Sequence, residues 1–115
     1  MEFLQDAIEK MQAAMIVDYE RFIDHMAGNT PRTDHQKMMI EEYAAKFEVT
    51  YGQKYAKIIQ RGGAAVFVVI TDFDKKFKFG DILKPAGWAT PARNKARGNI
   101  FGEYNIRWTG PEYLR

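Results

Sequence analysis

Apolar residues recur at helical spacing through the first third of the chain. Leu4, Ile8, Met11, Met15, Phe22 and Met26 follow one another at intervals of three, four and seven, with Asp6, Glu9, Lys10, Glu20 and Arg21 between them. This is the pattern of a helix with an apolar stripe. Leu4, Ala7, Ala13 and Ala14 favour helix, and no Gly or Pro interrupts before Gly28. Gly28-Asn29 then supplies a left-handed stop, and Thr30-Pro31 bars continuation. A helix of about 25 residues measures ~37 Å, longer than a domain of this size is wide. It therefore bends, or projects and packs on a partner. Phe3, Ile16, Val17, Tyr19 and Ile23 fall off the main stripe. The excess fits burial on two sides, as an oligomer provides, or a single helix lying over a sheet.

A second helix is expected from Thr33 or Asp34 to near Phe47. Thr33 and Gln36 have capping-box spacing, in which each side chain satisfies the other's backbone N–H. Met39, Tyr43 and Phe47 mark its buried face, and Glu41, Glu42 and Lys46 its wet one. Beyond it the period changes to two. Lys54–Gln60 alternates in part, Arg61-Gly62-Gly63 makes a hairpin turn, and Ala64–Thr71 is a strand apolar on both faces, hence central. Asp72–Lys76 is a connection, Phe77-Lys78-Phe79 resumes alternation, and Ile82-Leu83-Lys84 leads into Pro85. Residues 85–102 are irregular, and Asn105–Thr109 reads as a last strand. The order is two N-terminal helices, the first long, followed by an antiparallel β-meander with a long basic loop: one α+β domain. Residues 1–48 form the helical, oligomerising part and 49–115 the β-sheet, ligand-binding part.

Composition narrows the chemistry. The 115 residues suit a single domain, and 46% hydrophobic content speaks for a folded core. There is no Cys, which excludes a disulfide frame, a thiolate nucleophile, a zinc ribbon and an iron–sulfur cluster. There is also no Ser, which excludes a serine nucleophile. The start carries no basic, apolar leader, and the longest apolar run, Ala64–Ile70, is too short to span a bilayer, so a small soluble protein of a reducing compartment is expected. The net charge of +2 hides a gradient. Residues 1–26 hold six acids against two bases, and residues 73–115 hold nine bases against four acids. A basic back half fits an anion, or the acidic front of another copy.

An enzyme finds little to work with. His25 and His35 stand alone without metal-ligand spacing, Asp72 and Asp74 read as turn formers, and no Gly-rich phosphate loop occurs. No catalytic residue, metal or cofactor is expected. The irregular segment is richer. Lys84, Arg93, Lys95 and Arg97 supply charge, and arginine grips phosphate bidentately. Trp88 and Phe101 offer faces for a stacked base, and Asn94 and Asn99 carry the donor–acceptor pairs that read a base edge. Gly98 allows close approach of an oxyanion to the backbone, and Arg107 on the last strand joins the set.

The run Lys78–Trp88, with Pro91-Ala92-Arg93 and then Ala96-Arg97-Gly98-Asn99-Ile100, resembles a group of small bacteriophage proteins in which GDILKPAGWATPA-like and ARGNI phrases follow one another. The two-helix front before a meander is also similar to phage Thoeris anti-defence proteins of the first type, which act as immune-signal sponges. The resemblance implies a dimeric or larger homo-oligomer, assembled through the N-terminal helix, in the host bacterial cytoplasm. It implies sequestration without cleavage of a cyclic nucleotide signal, either a cyclic ADP-ribose isomer or a cyclic oligonucleotide. Trp88 or Phe101 would stack, Asn94 or Asn99 would meet base or ribose, and Arg93, Arg97 and Arg107 the pyrophosphate. The alternative is a phage nucleic-acid-binding accessory protein that lays the basic aromatic loop 84–101 along a strand. A third reading is a host-interaction protein whose basic face docks an acidic partner.

Overall fold

The computed structural model describes residues 3–112. Two helices, α1 (Leu4–Met26) and α2 (Asp34–Ala45), precede β1 (Phe47–Tyr51), β2 (Tyr55–Gln60), β3 (Gly63–Val69), β4 (Ile82–Leu83), β5 (Asn105–Arg107) and β6 (Gly110–Glu112). Strands β1 to β4 form one antiparallel sheet in chain order, and β5 and β6 form a separate hairpin. The α+β meander stands as expected, with the helical part ending just before Phe47.

Both helix ends follow their local chemistry. Gly28 and Asn29 adopt left-handed φ angles of 69° and 60°, and their N–H groups return to the carbonyls of His25 and Asp24. That double bond pattern satisfies the last carbonyls of α1. The capping box of α2 is complete: the Gln36 N–H donates to Thr33 Oγ1 at 3.2 Å, and the Thr33 N–H to Gln36 Oε1 at 2.8 Å. Between the helices, Arg32 grips Asp24 through two 2.8 Å bonds and reaches Glu20 at 3.3 Å. The Arg32 guanidinium holds the Asp24 carboxyl below its ordinary range.

The helices cover one face of the sheet. Ala56, Ile58, Val66, Val68 and Ile82 pack there against Ala7, Ile8, Met11 and Met15. The other face carries Phe67, Val69 and Leu83 beneath Phe77. β3 is thus buried on both sides, as its unbroken apolar run requires. The β2–β3 turn is a two-residue hairpin with Arg61 at φ 55° and Gly62 at φ 74°, the left-handed pair that matches strand twist. The guanidinium of Arg61 bonds Tyr19 Oη at 2.9 Å and lies 5.1–5.7 Å from the rings of Tyr19, Tyr43 and Trp108.

Three expectations are corrected. The buried stripe of α1 runs Ala7, Ile8, Met11, Met15, Tyr19, Ile23, while Phe22 and Met26 are 39% and 70% exposed. The C-terminal half of α1 packs on α2, so its contact turns toward Tyr19 and Ile23, which meet Ile40 and Tyr43, and the last turn overshoots the core. Phe77-Lys78-Phe79 is not a strand, because Asp74 Oδ1 accepts from the N–H groups of Lys76 and Phe77 and bends the chain. Strand β5 stops at Arg107; Trp108 and Thr109 form the turn to β6.

Candidate functional site

The loop residues singled out from the sequence are held by short pairings that start at the sheet edge. β4 contributes only Ile82 and Leu83, opposite Val68 and Phe67. The chain then folds back on itself: Pro85 bridges Pro91, the N–H groups of Ala86 and Gly87 both reach the Thr90 carbonyl, and the Ala92 N–H reaches the Lys84 carbonyl at 2.7 Å. Residues 97–99 return beside β4, with the Arg97 N–H on the Ile82 carbonyl and the Ile82 N–H on the Gly98 carbonyl. Lys84 and Arg97 are thereby brought to one place.

They line an open groove of about 630 Å³ beside the β5–β6 hairpin, with Ala64 and Ala65 of β3 and the Thr109–Glu112 segment as its other walls. The floor has a physical origin. Ile58 pairs with Val66 and Ile59 with Ala64, so Ala65 is an extra residue, a bulge. Because β4 stops short, the N-terminal half of β3 faces β6 instead. Gly110, at φ 132°, makes that approach possible: a Cβ there would sit 3.1 Å from the Ala65 carbonyl oxygen. Lys84 is exposed and enters no ion pair among the described residues. Glu112, the carboxylate on the rim, pairs with Arg107 at 3.1 Å. Lys84 and Arg97 thus lie over small side chains in one groove, and the carboxylate on its rim is paired with Arg107.

The other expected residues lie elsewhere. Arg93 is spent on the fold: it pairs with Asp74 at 2.9 Å, bonds Tyr55 Oη, and lies 4.9 Å from the Phe77 ring. The Arg93 guanidinium, helped by the N–H groups of Lys76 and Phe77, holds Asp74 well below the usual carboxylate range. Asn94 sits next to it on the exposed surface, its Oδ1 accepting from the Lys95 N–H. Asn99 staples its own loop, donating to the Phe79 carbonyl and Asp81 Oδ1, both at 3.0 Å, while accepting from the Phe101 N–H. Phe101 stacks on Phe79 with centroids 6.2 Å apart. Gly98 is not a cradle for an oxyanion: a Cβ there would run into the Glu103 carbonyl and lie 2.8 Å from Tyr104 Cβ. Its freedom serves a close crossing of the chain with itself.

Arg107 occupies the far side of the hairpin, with Arg21, Phe22 and His25. Trp88 stands at the tip of the 85–91 turn and is 54% exposed. Lys57 Nζ lies 3.9 Å from its ring centroid and donates to its carbonyl at 3.1 Å. Sequence reading missed Lys57 and the Ala65 bulge; the alternation of Tyr55 and Lys57 along one strand face was the available signal for the former. His25 and His35 are both exposed, on different helices.

Among protein families, a model described as a family of unknown function, DUF7717, matches residues 1–110, and the chain belongs to that family. Comparison with curated proteins and with solved structures finds no match.

Proposed function

We propose that this member of DUF7717 is a non-catalytic binder of a phosphate-bearing nucleotide, held in the groove beside the β5–β6 hairpin. The convergence of Lys84 and Arg97 over the small-residue floor carries this reading. The groove volume of about 630 Å³ lies within the ~300–1,000 Å³ typical of small-molecule sites. Lys84 and Arg97 take the phosphate, while Asn99 and Phe101 serve the loop itself. The biological form we propose is sequestration of a cyclic nucleotide immune signal of the cyclic ADP-ribose class, in a phage-infected bacterial cytoplasm. Retention at sponge strength needs about −12 kcal/mol for a nanomolar ligand. An open groove in one chain falls short of that, so self-association belongs to the same reading. Phe22 and Met26, exposed one turn apart at the end of α1, are the residues on which copies would meet.

A panel of linear and cyclic mononucleotides, dinucleotides and cyclic ADP-ribose isomers, screened by thermal shift and calorimetry, tests this. The expected result is one saturable ligand, released intact on heat denaturation, with affinity lowered at least about tenfold by K84A and again by R97A. No shift across the panel, or binding indifferent to both substitutions, overturns it.

A further inference from the structure

The outer face of the sheet, opposite the helices, bears a second feature that the groove reading leaves unused. The register places Tyr55 and Lys57 of β2 on that face, Lys57 between Thr50 and Phe67 and Tyr55 beside Val69. At the β1–β2 end, the Gly52 N–H reaches the Tyr55 carbonyl at 2.8 Å, and this turn displays Tyr51 and Lys54. Thr50, Tyr51, Lys54, Tyr55, Lys57 and Phe67 line a shallow hollow of about 250 Å³ with Ala89 at its rim, and its lining includes no carboxylate. Tyr51, opposite Ala56 in the register, is exposed at the strand end but falls on the other side of the pleat from Lys57.

Trp88, next to Ala89, is fixed beside it. The 85–91 turn and the double grip of Lys57, on the ring and on the carbonyl, hold the indole in place. Lys57 lies over the ring, and Trp88 is 54% exposed. Charge nearby is one-sided. Lys76 Nζ bonds the Arg93 carbonyl, Arg93 bonds Tyr55 Oη, and the adjacent acid, Asp74, is 5% exposed and taken by Arg93. Glu48, the next outward-facing residue of β1 beyond Thr50, marks the limit of the patch.

We propose that this face is a stacking platform for single-stranded nucleic acid, with Trp88 receiving an unstacked base and Lys54 and Lys57 the flanking phosphates. An exposed indole beside lysines suits a base that is free to splay. A duplex keeps its bases stacked and is read by an element inserted in a groove, which this shallow face does not provide. The platform and the Lys84–Arg97 groove are separate surfaces, so each stands or falls alone.

The test is fluorescence anisotropy with labelled oligothymidine and oligouridine and a duplex of equal length. The expected result is binding of the single strands that weakens about sevenfold between ~50 and ~200 mM salt, as release of about two phosphate contacts requires. W88A and K54A each weaken it by about tenfold, W88F retains most of it, and K84A leaves it unchanged. Circular dichroism of W88A checks that the variant is folded, which its place at an exposed turn tip favours. Absence of binding at low salt, equal affinity for the duplex, or full affinity in folded W88A overturns the proposal.

Discussion

Arg93 and Asn99 show how a side chain with the right chemistry for a nucleotide is diverted to the fold. Each was legible as a polar group in a basic loop, but its partners, Asp74 and Asp81, lie 19 and 18 residues away, and only the folded chain brings them together. Lys57 meets Trp88 across 31 residues for the same reason. Asp74 is the residue whose role reads out most directly in pH. Its folded-state acidity is stronger than the ordinary value of about 4, so the unfolded chain takes up its proton first. The stability it contributes is complete above that ordinary value and drains away as pH falls toward the lower folded one. Thermal melts from about pH 6 down to about pH 2 are expected to show the wild type losing stability on the acid side. D74N is expected to be less stable at neutral pH and flatter below about pH 4. A D74N curve parallel to that of the wild type would remove Asp74 from the account.

At the scale of elements, signals confined to a few neighbouring residues were readable and signals set by packing were not. The Thr33–Gln36 box, the Gly28-Asn29 stop and the Arg61-Gly62 turn each depend on adjacent chain and formed as their residues require. The face of α1 depends instead on where α2 docks, and so the stripe turns toward Tyr19 and Ile23 near its end. Phe77-Lys78-Phe79 imitates a strand because one buried ring, Phe77, and an exposed one, Phe79, happen to alternate across a lysine. The corrected face of α1 has a measurable consequence. Met15 is fully buried, and its truncation to Ala is expected to cost about 2–5 kcal/mol in denaturant unfolding. Met26, mostly exposed in the last turn, is expected to cost less than about 0.5 kcal/mol in protein dilute enough to be monomeric. Equal costs in the monomer would contradict the corrected face of α1, whereas a cost at Met26 that grows with protein concentration is what contact between copies would produce.

For the whole molecule, the charge gradient and the long first helix were visible in the sequence, whereas the division of the basic loop was not. The molecule measures 49 × 30 × 28 Å, so α1, about 34 Å long, exceeds its two shorter dimensions. One side of the helix is nonetheless filled by its own sheet and α2. The loop from Lys84 to Phe101 looked like one site because its cations and rings are contiguous in sequence. In three dimensions it wraps the sheet edge, sending Lys84 and Arg97 to the hairpin groove, Trp88 and Arg93 to the outer face, and Phe101 to a stack on Phe79. The groove is the centre of the functional account. Titration of isotopically labelled protein with the nucleotide panel, followed by amide chemical shifts, tests it most directly. Saturable shifts concentrated at Ala64, Ala65, Lys84, Arg97 and Gly110 are expected. Saturable shifts gathered elsewhere, or none at any ligand concentration reached, would contradict it.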